Sequence, residues 1–418
     1  MRGSWMNKTF EESMEKLAEL AVMTGVNLQE GQTLYIDAPV TAAAFVRKAA
    51  AAAYEAGAKN VLTDYKDEEL MKLKFMKAPE EGLKEFPDWK AKAFEEMDKA
   101  NTAYLQVYAV NPTAFSDTDP KRVSMAYKAS ASAMKKHHEN ISAGRVSWCI
   151  VSVPTDEWAE QVFEGEKTED AVQKLWEAIF DVTRVTSDDP VQNWDRHISE
   201  LGNRADYLNK KQFKKLYYKG PGTDLEISLP DGHIWKSAQF TNEQGISFIP
   251  NMPTEEVFTI PLKEGVNGTV ASTKPLNYNG VLIKDFSLTF ENGRVAHFEA
   301  SEGKGSLKEM LDTDEGARYL GEVALVPHNS PISNSGILFY NTLFDENASC
   351  HLALGSTIPI CLEGGTGMSS DELLAAGLND SLTHVDFMIG SARLDIDGET
   401  DDGTREPVFR SGDWVFSI

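Results

Sequence analysis

The run LTHVDFMIG, residues 382–390, places His384 and Asp386 two apart inside an otherwise apolar stretch, and a second apolar run, CHLALG, carries His351 upstream. Imidazole nitrogens and carboxylate oxygens are the donors that divalent cations take from proteins. Two ions sharing one site need about five or six such donors, often with a bridging carboxylate. The same half of the sequence offers Glu255 and Glu256 in NMPTEEVFTIP and Glu322 in LGEVALVPHNS. In a strand, residues two apart share a face, so His384 and Asp386 point the same way and Val385 faces the core. Each of these residues alone is explained as a polar group satisfied near a strand end. Gathered in one apolar region they favour a common ion, because bare desolvated charges cost several kcal/mol each.

Other motifs carry less. The remaining six of the eight histidines have ordinary settings. His137 and His138 end a charged helix and read as surface residues, His197, His233 and His297 lie among polar or exposed-looking positions, and His328 follows Pro327 in a loop able to approach a site. No H-E-x-x-H helix and no G-x-S-x-G elbow occurs. EGGTGMSSDELLAAG lacks the Gly-Lys-Ser/Thr of a phosphate loop, and its Ser369 and Glu372 read as a capping box instead. DIDGETDDGTRE has acids at calcium-loop spacing but Thr400 where that loop needs glycine, so it reads as an acidic hairpin.

Elements must position the ligands. Residues 1–5 are read as vector-derived, ahead of a start at Met6. From there to about residue 212, helical patterns such as TAAAFVRKAAAAAYEAGAKN alternate with the short strands QTLYIDAP, NVLTDY, TAYLQVYA and RVSWCIVSVP. That alternation predicts an open, doubly wound parallel sheet. From residue 213 to 418 the strands alternate in period two between PG, DG and NG turns, which predicts a mostly antiparallel β domain with a few helices. The expected boundary falls between residues 205 and 220.

The net charge of −24 disfavours a nucleic-acid backbone or an anionic membrane as partner. No apolar stretch approaches the roughly 20 residues of a membrane span. Cys149, Cys350 and Cys361 are few, odd in number and set in apolar contexts, which points to buried reduced thiols in a cytoplasm.

NMPTEEVFTIP, LGEVALVPHNSPI, LFYNTLFDENASCHLALG, THVDFMIG and the closing PVFRSGDWVF resemble, in order, the blocks of the thermophilic-type metalloaminopeptidases, the family of aminopeptidase T, aminopeptidase S and aminopeptidase II. The resemblance runs over essentially the whole chain from Met6. It implies a cytoplasmic homodimer that removes single residues from the free amino terminus of peptides, through a water activated by two divalent metals per subunit, Zn, Co, Mn or Mg. The metal ligands it implies are Glu256, Glu322, His351, His384 and Asp386, with Glu255 ranked second because neighbouring strand residues point oppositely. One departure stands out. A tyrosine commonly follows the CHLALG histidine by seven positions in that family, whereas this chain has Ile358, which donates no hydrogen bond. Lower activity, another substrate preference, replacement by a group such as Tyr340, or a non-catalytic family member are the alternatives this leaves; a separate one is a binding protein with the α/β half as its small-ligand module and the His/Asp/Glu set as a structural metal site.

Overall fold

Alanine-rich helices and short apolar strands in the first half resolve into one parallel sheet. The computed structural model describes residues 2–109 and 111–416, with side chains from Phe10; the reading of residues 1–5 as vector-derived falls outside the described side chains. Strands Thr33–Pro39, Asn60–Lys66, Ala103–Val107 and Trp148–Val151 pair in parallel. Their spatial order is second, first, third, fourth. The winding direction therefore reverses between Thr33–Pro39 and Ala103–Val107, and ligands of open α/β sheets bind at the carboxyl ends of such strands. Leu34, Ile36, Leu105, Cys149 and Val151 form a core with Phe45, Trp158, Leu175 and Trp194 from the helices. The expected single helix over KRVSMAYKASASAMKKHHEN is two, Pro120–Ala133 and Lys135–Ser142, separated at Met134, whose φ of −93° and ψ of 5° leave helical geometry.

The second half is antiparallel, as its period-two pattern predicts. One sheet has eight strands, and the acidic stretch is indeed a hairpin within it, Asp395–Glu399 with Arg405–Arg410. A smaller sheet carries the candidate ligands. Its order is His384–Met388, His351–Gly355, Leu320–Leu325, Val257–Thr259, and every pairing is antiparallel. Val323, Leu325, Leu352, Leu354 and Phe387 on one face pack into the core of the second half, with Val385 against it.

Two segments tie the halves together. Helix Pro190–Lys211, capped by the Asp189 side chain and started by Pro190, puts Trp194 in the first core and Leu201, Ala205 and Leu208 in the second. Phe339, Leu343, Phe344 and Ala348, just before the His351 strand, pack into the first core. The polar face of the small sheet thus looks onto the carboxyl ends of the parallel strands. Tyr108, one residue past Ala103–Val107, lines the same cavity as the small-sheet ligands.

Candidate metal centre

Register alone puts the ligands on one face. Glu322 and Asp386 each stand opposite Ala353 in the central strand, on either side of it. His351 is two residues from Ala353, and His384 is two from Asp386, so all four side chains emerge on the face away from the apolar core. Phe258 pairs with Ala324 on that same face, and Glu256, two residues before Phe258, follows the alternation onto it. Small residues keep the centre of the face open. Ala353 carries only a methyl group, and Gly355, with φ of 113°, sits where a Cβ would run into the Thr383 carbonyl.

Both imidazoles are oriented from behind. His351 Nδ1 donates to the Glu346 carbonyl at 2.9 Å and lies 3.1 Å from that of Ser349; His384 Nδ1 donates to the Ser356 carbonyl at 2.8 Å. Carbonyls only accept, so Nδ1 carries the hydrogen and each Nε2 is left to face carboxylates. His351 Nε2 is 3.0 Å from Glu256 Oε2 and 3.6 Å from Glu322 Oε1. His384 Nε2 is 3.2 Å from Glu322 Oε2 and 3.4 Å from Asp386 Oδ1. Two triads result, Glu256–Glu322–His351 and Glu322–His384–Asp386, in each of which the donor atoms lie within 4.8 Å of one another. Glu322 belongs to both. His351 is buried, while the His384 side chain is 31% exposed and opens the second triad to solvent.

The electrostatics call for positive charge between these groups. Burial pushes Glu256 above the ordinary carboxylate range, reinforced by Glu322 and Asp386. Burial acts on Glu322 in the same direction, but the two imidazoles overcome it and hold that carboxyl down at about 2. Burial would also lower both histidines, yet their carboxylate neighbours raise them well above the ordinary imidazole value. Asp386 Oδ1 is buried and makes no hydrogen bond among the described residues. A buried oxygen without a donor, two imidazoles with fixed tautomers and a carboxylate shared between them fit divalent ions.

The family profile of thermophilic metalloproteases, M29, matches residues 10–414. The chain belongs to the M29 metalloprotease family. It is 53% identical to aminopeptidase 2 of Geobacillus stearothermophilus over 413 residues, 99% of this chain and all of that one. It is 49% identical to aminopeptidase AmpS of Bacillus subtilis, covering 98% of this chain and all of the relative. The solved structure of wild-type AmpT from Thermus thermophilus superposes with a TM-score of 0.88 at 42% identity, over 97% of this chain and all of that one. The expectations of this family, of the two-part α/β and antiparallel architecture, and of a metalloaminopeptidase, hence a hydrolase and exopeptidase, hold.

Within this M29 chain, Glu255 takes no part in either triad. It lies on the opposite side of the backbone from Glu256, paired with Arg184 at 2.6 Å and 3.5 Å from His197 Nε2. Four histidine readings need correction or come to nothing. His137, His197 and His233 are buried, with hydrogen-bond partners unseen in local sequence: Asp98 for His137, the Thr254 carbonyl for His197 and the Pro230 carbonyl for His233 Nδ1, while His233 Nε2 has no partner among the described residues. His328 is exposed and bonds Ser333, away from the ligands.

One carboxylate at the centre escapes the sequence reading. Glu346, in the turn Glu346–Ala348, is buried and lines the same cavity of about 350 Å³ as both triads. Burial and the nearby charge of Asp386 push it well above the ordinary range. Ile358 also lines that cavity; Tyr340 does not, so it is no replacement there for a phenol.

Proposed function

We propose that the chain hydrolyses single residues from the free amino terminus of peptides with two divalent ions, one held by Glu256, Glu322 and His351 and the other by Glu322, His384 and Asp386. The observation that carries this reading is Glu322, whose two oxygens face two different imidazoles at 3.6 and 3.2 Å. With Glu346, the cavity holds four carboxylates, and two divalent cations match that charge. Bound there, such ions supply Lewis acidity and a water nucleophile at neutral pH. A mixed imidazole and carboxylate set suits Zn, Co or Mn better than Mg.

The chain's own groups do the rest. Trp148, Ile150, Phe240, Phe258 and Ile358 form an apolar wall that receives the terminal side chain and excludes water. Glu346 belongs to neither triad, so it is the carboxylate left to take a proton from the attacking water and return it to the leaving amine.

Association into a homodimer is supported by an apolar surface on the first half. Leu70, Leu73 and Met76 are exposed along helix Glu68–Lys77, beside the edge strand Asn60–Lys66 with exposed Leu62 and Tyr65. Three buried free thiols suit a cytoplasmic setting, and no helix among the described residues is long and apolar enough to cross a membrane. The test is hydrolysis of Leu-p-nitroanilide before and after exhaustive chelation. Activity that disappears and returns with added metal supports the proposal; a non-catalytic metal protein shows none in either state.

A further inference from the structure

Two tyrosines of the parallel sheet and one just beyond it differ in how their hydroxyls are used. Tyr35 donates to Asp64 at 3.0 Å and Tyr104 to Asp98 at 2.6 Å, so both are fixed within the first half. Tyr108 lies just beyond the strand Ala103–Val107, beside the point where the winding of the sheet reverses. Its backbone is anchored, the amide donating to Val151 and the carbonyl accepting from Ser152. Its hydroxyl bonds to no described residue. The side chain lines the ligand cavity and also the adjoining one of about 350 Å³, and His384, Asp386 and Thr342 line both as well. Tyr127 and Tyr278 line only the adjoining cavity. A half-buried donor without a partner, set on a rigid strand end and facing a catalytic cavity from the opposite half, calls for a ligand to complete it.

We infer that Tyr108 is a catalytic residue whose hydroxyl donates a hydrogen bond to the scissile carbonyl oxygen as it becomes an oxyanion. This rests on the aminopeptidase reading. When water adds to the carbonyl carbon, a C–O bond forms and the π pair of the carbonyl moves onto its oxygen. Tyr108 keeps its proton throughout and only donates the bond. Burial and the charges of Glu346 and Glu68 push its phenol up to about 12, so the donor persists across the neutral range. Ile358, in the same cavity wall, offers no donor.

The test is Tyr108→Phe in the metal-loaded protein, which removes one oxygen that holds nothing else in place. We expect kcat for Leu-p-nitroanilide to fall by about 100-fold, the usual cost of an oxyanion donor, with KM and bound metal within about twofold. Calorimetry with a phosphinic dipeptide analogue, tetrahedral at the reacting centre, should show an affinity loss of about the same factor, while leucine binds as before. Unchanged kcat and unchanged phosphinate affinity overturn the inference. So does a parallel loss of leucine and phosphinate affinity, which marks plain ground-state binding. A wild-type protein that binds metal and phosphinate but turns over no peptide defeats the aminopeptidase reading instead.

Discussion

Glu255 and Glu256 are chain neighbours that face opposite sides of the backbone: Glu256 Oε2 lies 3.0 Å from His351 Nε2, and Glu255 Oε1 lies 2.6 Å from Arg184. Two identical side chains thus separate into a member of the proposed metal site and a structural ion pair. Glu256→Gln should weaken metal binding by more than about 100-fold, beyond the usual cost of losing an outer-shell partner, with little loss of fold. Glu255→Gln should leave metal content intact and lower stability by about 3 kcal/mol, because Arg184, with a side chain only 11% exposed, loses its counter-charge. Metal analysis and urea melts on the two variants separate these outcomes.

Ala353 provides the space in which Glu322 and Asp386 meet their imidazoles. Ala353→Leu places an isobutyl group on the ligand face. Metal affinity should fall by at least about tenfold while the far-ultraviolet spectrum is retained. Unchanged metal binding in that variant contradicts the shared-face geometry.

Proton linkage follows from the two raised imidazoles. Without ions the neighbouring carboxylates favour the protonated form of His351 and His384, and as ligands they are neutral, so metal binding expels protons. Affinity should therefore rise with pH. Calorimetric heats measured at pH 7 should differ between buffers of different ionisation enthalpy, and equal heats would sink this account.

How much of this is legible without coordinates depends on the period of each segment. Glu256, Glu322, His351, His384 and Asp386 sit on or beside strands, where alternation sets which residues share a side, but the family resemblance, and not alternation, chooses Glu256 over Glu255. Glu346 follows Asp345 in a short, Asn341-capped turn, and two adjacent acids there read as a solvated loop. Only Phe339, Leu343 and Phe344 packing into the core of the other half makes that turn interior. His137 fails for a similar reason. Its neighbours in KKHHEN are charged, but the Phe94 and Tyr104 rings stand 4.7 and 4.9 Å from it and Asp98 bonds its Nδ1. Tyr108 is invisible to local patterns, since what defines it is a cavity wall from the opposite half.

His197 provides a stability test outside the centre. Burial holds its imidazole below the ordinary value, with its Nε2 hydrogen given to the Thr254 carbonyl at 2.7 Å. A histidine depressed in the folded state contributes stability that is present above the unfolded value of about 6.5 and is lost as pH falls through the folded one. In metal-free protein the raised His351 and His384 pull the other way, so the expected outcome is a difference: as pH falls from 7 to 5.5, the urea midpoint of His197→Gln should gain on that of the wild type. An identical slope in the variant contradicts the assignment.

Two ions held through Glu322 and required for turnover can be counted by titrating metal-free protein with Zn while following Leu-p-nitroanilide hydrolysis. Activity should be negligible at the start and reach a plateau at two equivalents per chain. Full hydrolysis before any metal is added, or a plateau at one equivalent, would contradict the two-ion requirement.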